Sequence, residues 1–143
     1  GGGLSLYANA SYRGIFDPVS GAYTSISDAR LKSAIKPMHT VLQLVMSLSP
    51  KTYTYKEDQS GKSYLGFLAQ DLVQYFPEAV HIPTDETEKG ENFYSVDYGS
   101  LSVVALKAIQ EQQEKITSLQ QQLDQQDQLI STLISRLEAL ENQ

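Results

Sequence analysis

Cysteine is absent from the 143 residues, so neither a disulfide nor a thiolate metal site exists here, and the redox compartment is left open. No apolar run approaches the roughly 18 residues of a membrane span, and the first residues lack the basic-then-apolar pattern of a secretory leader. Positive charge is also scarce, with 11 Lys and Arg against 17 Asp and Glu and a net charge of −6. That balance disfavours nucleic acid and anionic membrane surfaces as partners, because both ask for a basic face. The two histidines, His39 and His81, have no partner at ligand spacing and read as structural or surface residues. Acids gather in TDETEKGEN, residues 84–92, without the ordered ligand positions of a calcium loop. A solvated loop is expected there, and no metal or cofactor is called for.

What is present begins with alternation. Residues 4–9, LSLYAN, alternate apolar and polar, and Asp17, Pro18, Ser20 and Gly21 signal a turn between residues 12–16 and 22–26, which predicts short strands joined by turns. This stretch has too few large apolar residues for a core of its own. Three copies wound about one axis would cover one another. Beyond Pro37, Val41, Leu44, Val45 and Leu48 recur at helical spacing until Pro50, predicting a core helix of about three turns. Tyr53 and Tyr55 alternate with Thr52 and Thr54, residues 58–61 form a turn, and 63–68 read as a second strand, so a hairpin is expected. Leu72, Val73 and Phe76 mark a short helix over 69–76 that stops before Pro77. Residues 80–82 and 93–98 read as further strands, with Asp97 or Ser100 as the cap of the last element.

That last element is a heptad repeat free of proline. Positions a are Ser102, Ile109, Ile116, Leu123, Ile130 and Leu137, and positions d are Ala105, Gln112, Leu119, Gln126, Leu133 and Leu140. Eight of these twelve are large aliphatics, which predicts a coiled coil of about 60 Å. Gln112 and Gln126 would form polar layers that set register, and Leu101, Leu106, Ala108, Leu129 and Ile134 widen the apolar face beyond a strict seam. The pattern alone predicts self-association without giving a number of strands. The fold class expected is α+β: a short N-terminal β segment, a small mixed globular domain and a long C-terminal helix forming a coiled coil.

One stretch, SISDARLKSAIKP at residues 25–37, is basic in an otherwise acidic chain. Ser27 and Lys32 lie five positions apart within it. A serine hydroxyl becomes a useful nucleophile when a neighbour takes its proton, and a lysine does so only as the neutral amine. From a free value of about 10.4, that asks for a drop of roughly three units, through burial or nearby positive charge. Leu31 and Ile35 are candidates for the apolar wall, Arg30 and Lys36 for the like charge. Five residues turn through about 140° on a helix and span about 16 Å on a strand. The chain must therefore bend between the pair, or the lysine must come from a neighbouring subunit. The plainer reading makes Ser27 the cap of a first turn that opens with Asp28.

The order of motifs goes further. SDARLK at residues 27–32 is followed by Ser49-Pro50 before Tyr53 and Tyr55, GFLAQDL at 66–72, FPEAV at 76–80, VDY at 96–98 and the heptads. Over about residues 25–143 this resembles the intramolecular chaperone auto-processing domain of phage tailspikes, tail fibres and endosialidases, the peptidase S74 family, which also occurs in myelin regulatory factor. The resemblance implies a homotrimer that aids folding of an upstream β-rich fibre in cis and then releases itself. It implies cleavage between Ile26 and Ser27, with Ser27 as nucleophile and Lys32 as base. Asp28, Arg30 and Gln70 are supporting candidates. Many relatives have Gln-Glu where this chain has Gln70 followed by Asp71, which keeps the charge and shortens its reach. The implied domains are residues 1–26, the end of the fibre; 27–98, the chaperone domain; and 99–143, the coiled coil. The implied location is a virion tail fibre or spike precursor made in the host cytoplasm. The competing function is a trimerisation and attachment module without chemistry, in which SDARLK only caps a helix.

Overall fold

The computed structural model describes residues 3–83 and 93–142, so the acidic loop expected at 84–92 lies outside the described residues. The chain divides into two compact units, Gly1–Pro37 and Met38–Gln143.

The first unit is a three-stranded antiparallel sheet of β1 (Leu4–Ala8), β2 (Ser11–Phe16) and β3 (Tyr23–Ser25), in that order. Asn9 and Ala10, both at positive φ (50° and 60°), make the two-residue turn between β1 and β2, whose backbone twist matches that of the paired strands. The turn from β2 to β3 is tied by Asp17, whose carboxylate accepts from the backbone N–H groups of Val19 and Ser20, and Gly21 supplies a positive φ of 71°. Among the described residues of this unit Gly14 alone is buried. Apart from the half-buried Ile15, its large apolar side chains face solvent, Val19 at 95% exposure, so the sheet has no core of its own.

The second unit is α+β. Its elements are α1 (Leu42–Met46), the hairpin β4 (Lys51–Tyr53) and β5 (Tyr64–Gly66), α2 (Ala69–Leu72), a 3-10 turn (Pro77–Ala79), the paired β6 (Val80–His81) and β7 (Ser95–Val96), and α3 (Tyr98–Glu141). Val41, Leu72, Phe76, Ala79, Val104 and Ala108 form the core, with Leu44, Val45, Leu48 and Leu101 packed against it. Burying a side chain such as Leu72 stabilises the unit by roughly 1.5–3 kcal/mol.

Several expected elements are shorter than their patterns, and the strands expected over 63–68 and 80–82 pair only at Tyr64–Gly66 and Val80–His81. In place of a helix of about three turns, α1 is five residues long, because residues 37–40 stay irregular and i→i−3 bonds from Ser47 and Leu48 close its end. The predicted stripe still reaches the core through Val41, Leu44, Val45 and Leu48. The helix expected over 69–76 is regular only for Ala69–Leu72 and continues as turns to Phe76. Only Ser95–Val96 of the strand expected over 93–98 pairs with a neighbour.

At 44 residues, α3 is about 66 Å long. Asp97 caps it, accepting from Ser100 N–H at 3.2 Å. Its first turns bind the domain through Leu101, Val104, Ala108 and Glu111, a stripe rotated by one residue from the heptad seam. The globular elements leave the seam itself uncovered. Ile109, Ile116, Leu119, Leu123, Ile130, Leu133, Leu137 and Leu140 are all exposed.

Candidate functional site

Strand β3 ends at Ser25, and the next residue is still held by the sheet, since Ile26 N–H donates to Arg13 O at 3.1 Å. Regular pairing stops there. Asp28 caps a single 3-10 turn, Ala29–Leu31, by accepting from Arg30 N–H at 2.8 Å. Leu31 and Lys32 N–H donate back to Asp28 O and Ala29 O at 3.1 and 3.0 Å, and Lys32 leaves the turn extended, at φ −114° and ψ 145°. A 3-10 turn is tighter than an α-helical one, and an extended residue on either side completes the bend that the spacing demands. Lys32 Nζ consequently donates to Ser27 Oγ at 2.7 Å, so a single chain brings the two side chains together. Asp28, not Ser27, takes the capping role, because its carboxylate reaches the turn's N–H. The Ser27 hydroxyl is left to meet the lysine.

Asp28 and Arg30 form a forked pair beside them, with Nε at 3.0 Å from Oδ1 and Nη2 at 2.6 Å from Oδ2. The Arg30 side chain, its backbone N–H and the Lys32 charge hold the Asp28 carboxyl below its ordinary value. The same pairing raises the Arg30 pKa. The expected apolar wall is not formed among the described residues. Leu31 and Ile35 are 68% and 70% exposed, as the turn buries none of its residues. Ser27 and Lys32 are exposed as well. In the observed contact the amine is the donor and the hydroxyl the acceptor. Base catalysis requires the reverse polarity, and hence removal of water from the pair.

Distance alone does not single this pair out. Lys51 Nζ donates to Ser49 Oγ at 2.8 Å, an equally short bond on the surface of the second unit. What separates Ser27 from Ser49 is its place. Residues 27–81 match the Peptidase_S74 family, described as the chaperone of endosialidase, and Ser27 is the first residue of that match. The chain carries a Peptidase_S74 segment. A probable tail fiber protein of Escherichia phage Phieco32 is 32% identical over 100 residues, 68% of this chain and 14% of that protein. An uncharacterized protein VP1 of Micromonas pusilla reovirus is 36% identical over 59 residues, 38% of this chain and 3% of that protein. The chain thus spans only a small part of the length of either relative.

Much of the Peptidase_S74 segment and the VDY motif beyond it has a packing explanation. Tyr98, the first residue of α3, accepts from Phe67 N–H through its hydroxyl at 3.1 Å, and Gly66 leaves room for that hydroxyl, because a methyl group there would meet it. Val80 pairs with Val96 and Asp97 N–H donates to Ala79 O at 2.9 Å, so GFLAQDL, FPEAV and VDY are joined around the start of α3. Gln70 stands exposed on α2 in this second unit, lining a hollow with Tyr53, Tyr55, Phe67 and Tyr98. Glu111 is a residue that motif reading overlooked. Its carboxylate binds the backbone at the entrance to α1, and the one local signal for it is its register behind Leu101, Val104 and Ala108.

Proposed function

We propose that this chain is a C-terminal intramolecular chaperone of a viral tail fibre or spike, which trimerises, assists folding of the β-rich segment before it, and then cuts itself between Ile26 and Ser27. Residues 1–26 are the end of the fibre, 27–98 the chaperone domain and 99–143 the coiled coil in this reading. Support comes from the Peptidase_S74 match that opens at Ser27 and from the similarity to a phage tail fiber protein. The observation that carries the chemistry is the 2.7 Å contact of Lys32 Nζ with Ser27 Oγ, directly after a residue anchored to the sheet.

Assembly comes first in the proposed sequence. Three α3 helices bury their exposed seams, and the assembled bodies exclude water from the pair, so that Lys32 gives up its proton. Ser27 Oγ then attacks the carbonyl carbon of Ile26 while neutral Lys32 Nζ takes the hydroxyl proton. The tetrahedral intermediate collapses with cleavage of the Ile26–Ser27 C–N bond, and the leaving amine receives the proton from Lys32. This leaves Ile26 as an ester on Ser27 Oγ. Water attacks the ester, giving an Ile26 carboxylate and a fragment that begins with free Ser27. One cut in cis needs no open substrate cleft and no second turnover.

Intact-mass and native-mass spectrometry of wild type beside Ser27→Ala and Lys32→Ala test this. Wild type is expected to yield a fragment beginning at Ser27. Both variants are expected to stay whole and still trimerise. A wild-type trimer whose backbone remains whole on prolonged incubation would leave an attachment module without chemistry, and a monomer would remove the assembly step.

A further inference from the structure

Between Lys32 and α1 the chain has no regular secondary structure, and residues 33–40 are exposed throughout. Ala34 lies at a positive φ of 52°, an uncommon conformation for a residue with a side chain. The first fixed point downstream of the serine–lysine turn is Val41, at 0% exposure. Its backbone is not held by a local cap, since α1 has no side-chain cap of its own. Glu111 of α3, seventy residues away, takes that place. Its carboxylate accepts from Val41 N–H at 3.0 and 3.2 Å and from Leu42 N–H at 2.9 Å, and Lys107 Nζ lies 3.4 Å from Oε1. The Glu111 side chain is 10% exposed. Breaking this contact would leave the Val41 and Leu42 N–H groups without their acceptor, and such a loss is costly where water is restricted.

Glu111 stands on the stripe that faces the domain, so it serves a function different from that of the seam. We infer that Glu111 is a positioning residue, a latch by which the long helix holds the chain leaving the Ser27–Lys32 turn. Where that chain is held would then bear on cleavage at Ser27. The coupling to cleavage rests on the function proposed above. The latch itself does not.

Glu111→Ala removes the acceptor, while Glu111→Gln keeps an oxygen and loses the charge, weakening a bond that charge makes roughly twice as strong. Three quantities are measured on the full chain: native mass, amide hydrogen exchange at residues 33–42, and the rate at which the Ser27 N-terminus appears per assembled trimer. Glu111→Ala is expected to assemble as wild type does, to exchange about tenfold faster at Val41 and Leu42, and to cleave about tenfold more slowly, since small misplacements of reacting groups cost rates of that order. Glu111→Gln should fall between the two. Wild-type exchange at Val41 and Leu42 in Glu111→Ala overturns the latch, and a wild-type cleavage rate per trimer overturns its positioning role. If wild type itself does not cleave, the autoproteolytic reading fails, and the exchange rates still decide the latch. Should Glu111→Ala not fold, exchange in Glu111→Gln carries the decision, and no acceleration at Val41 and Leu42 overturns it.

Discussion

Gly66 sits buried in β5, where a methyl group would run into Tyr98 Oη and lie 3.3 Å from the Tyr53 ring. To admit it, Tyr98 would have to release Phe67 N–H. Gly66→Ala is therefore expected to destabilise the second unit by about 1–3 kcal/mol, seen as an earlier thermal transition by circular dichroism. Tyr98→Phe, which loses only the hydroxyl, should cost less, about 1 kcal/mol. The same scale separates what could be read at the candidate site from what could not. Ser27 and Lys32 were legible as residue types at a suggestive spacing, and so was the need for a bend. That Asp28 would take the cap, freeing the Ser27 hydroxyl, depended on which of two adjacent oxygens reached the turn. Nothing in the spacing decides that.

For elements, the helix start at Asp97 is the clearest agreement between pattern and structure. Its carboxylate accepts from Ser100 Oγ and N–H, and these bonds lower its pKa. A depressed carboxyl stabilises the fold fully above its ordinary value of about 3.9 and loses that contribution as pH falls through the lower, folded value. Asp97→Asn keeps a capping oxygen that does not titrate. It should therefore show less acid destabilisation than wild type below about pH 4, measured by urea unfolding across pH. Asp97→Ala is expected to lose about 1 kcal/mol at neutral pH. The long helix was readable because a heptad is local and repeats. The shortness of α1 was not, because apolar spacing over 41–48 reports which side chains face the core, and that holds for one helical turn flanked by irregular chain as well as for three.

At the scale of the whole molecule, the exposed seam of α3 is where assembly is expected. In the proposed coiled coil, Ile116→Lys would place a charge in each strand of a buried layer, where an unpaired charge is far more costly than the apolar contact it replaces. The chain is expected to become monomeric at micromolar concentration and to stop cleaving, as read by sedimentation and intact mass. Gln126→Ile should act oppositely on stability, raising the melting temperature by about 5 °C or more. It should also loosen the choice of register and strand number, since polar layers trade stability for specificity. The α+β class, the positions of most short elements, the seam and the two residues of the candidate pair were determined by the sequence alone, because each is written in spacing over a few turns or in a motif. Only the tertiary structure decided that Glu111 holds Val41 and Leu42, that Tyr98 sits over Gly66, and that the face of α3 bound to the domain is distinct from its heptad seam. Those contacts join residues thirty to seventy positions apart, and packing, not periodicity, selects which of many available polar atoms and side-chain faces are brought within reach.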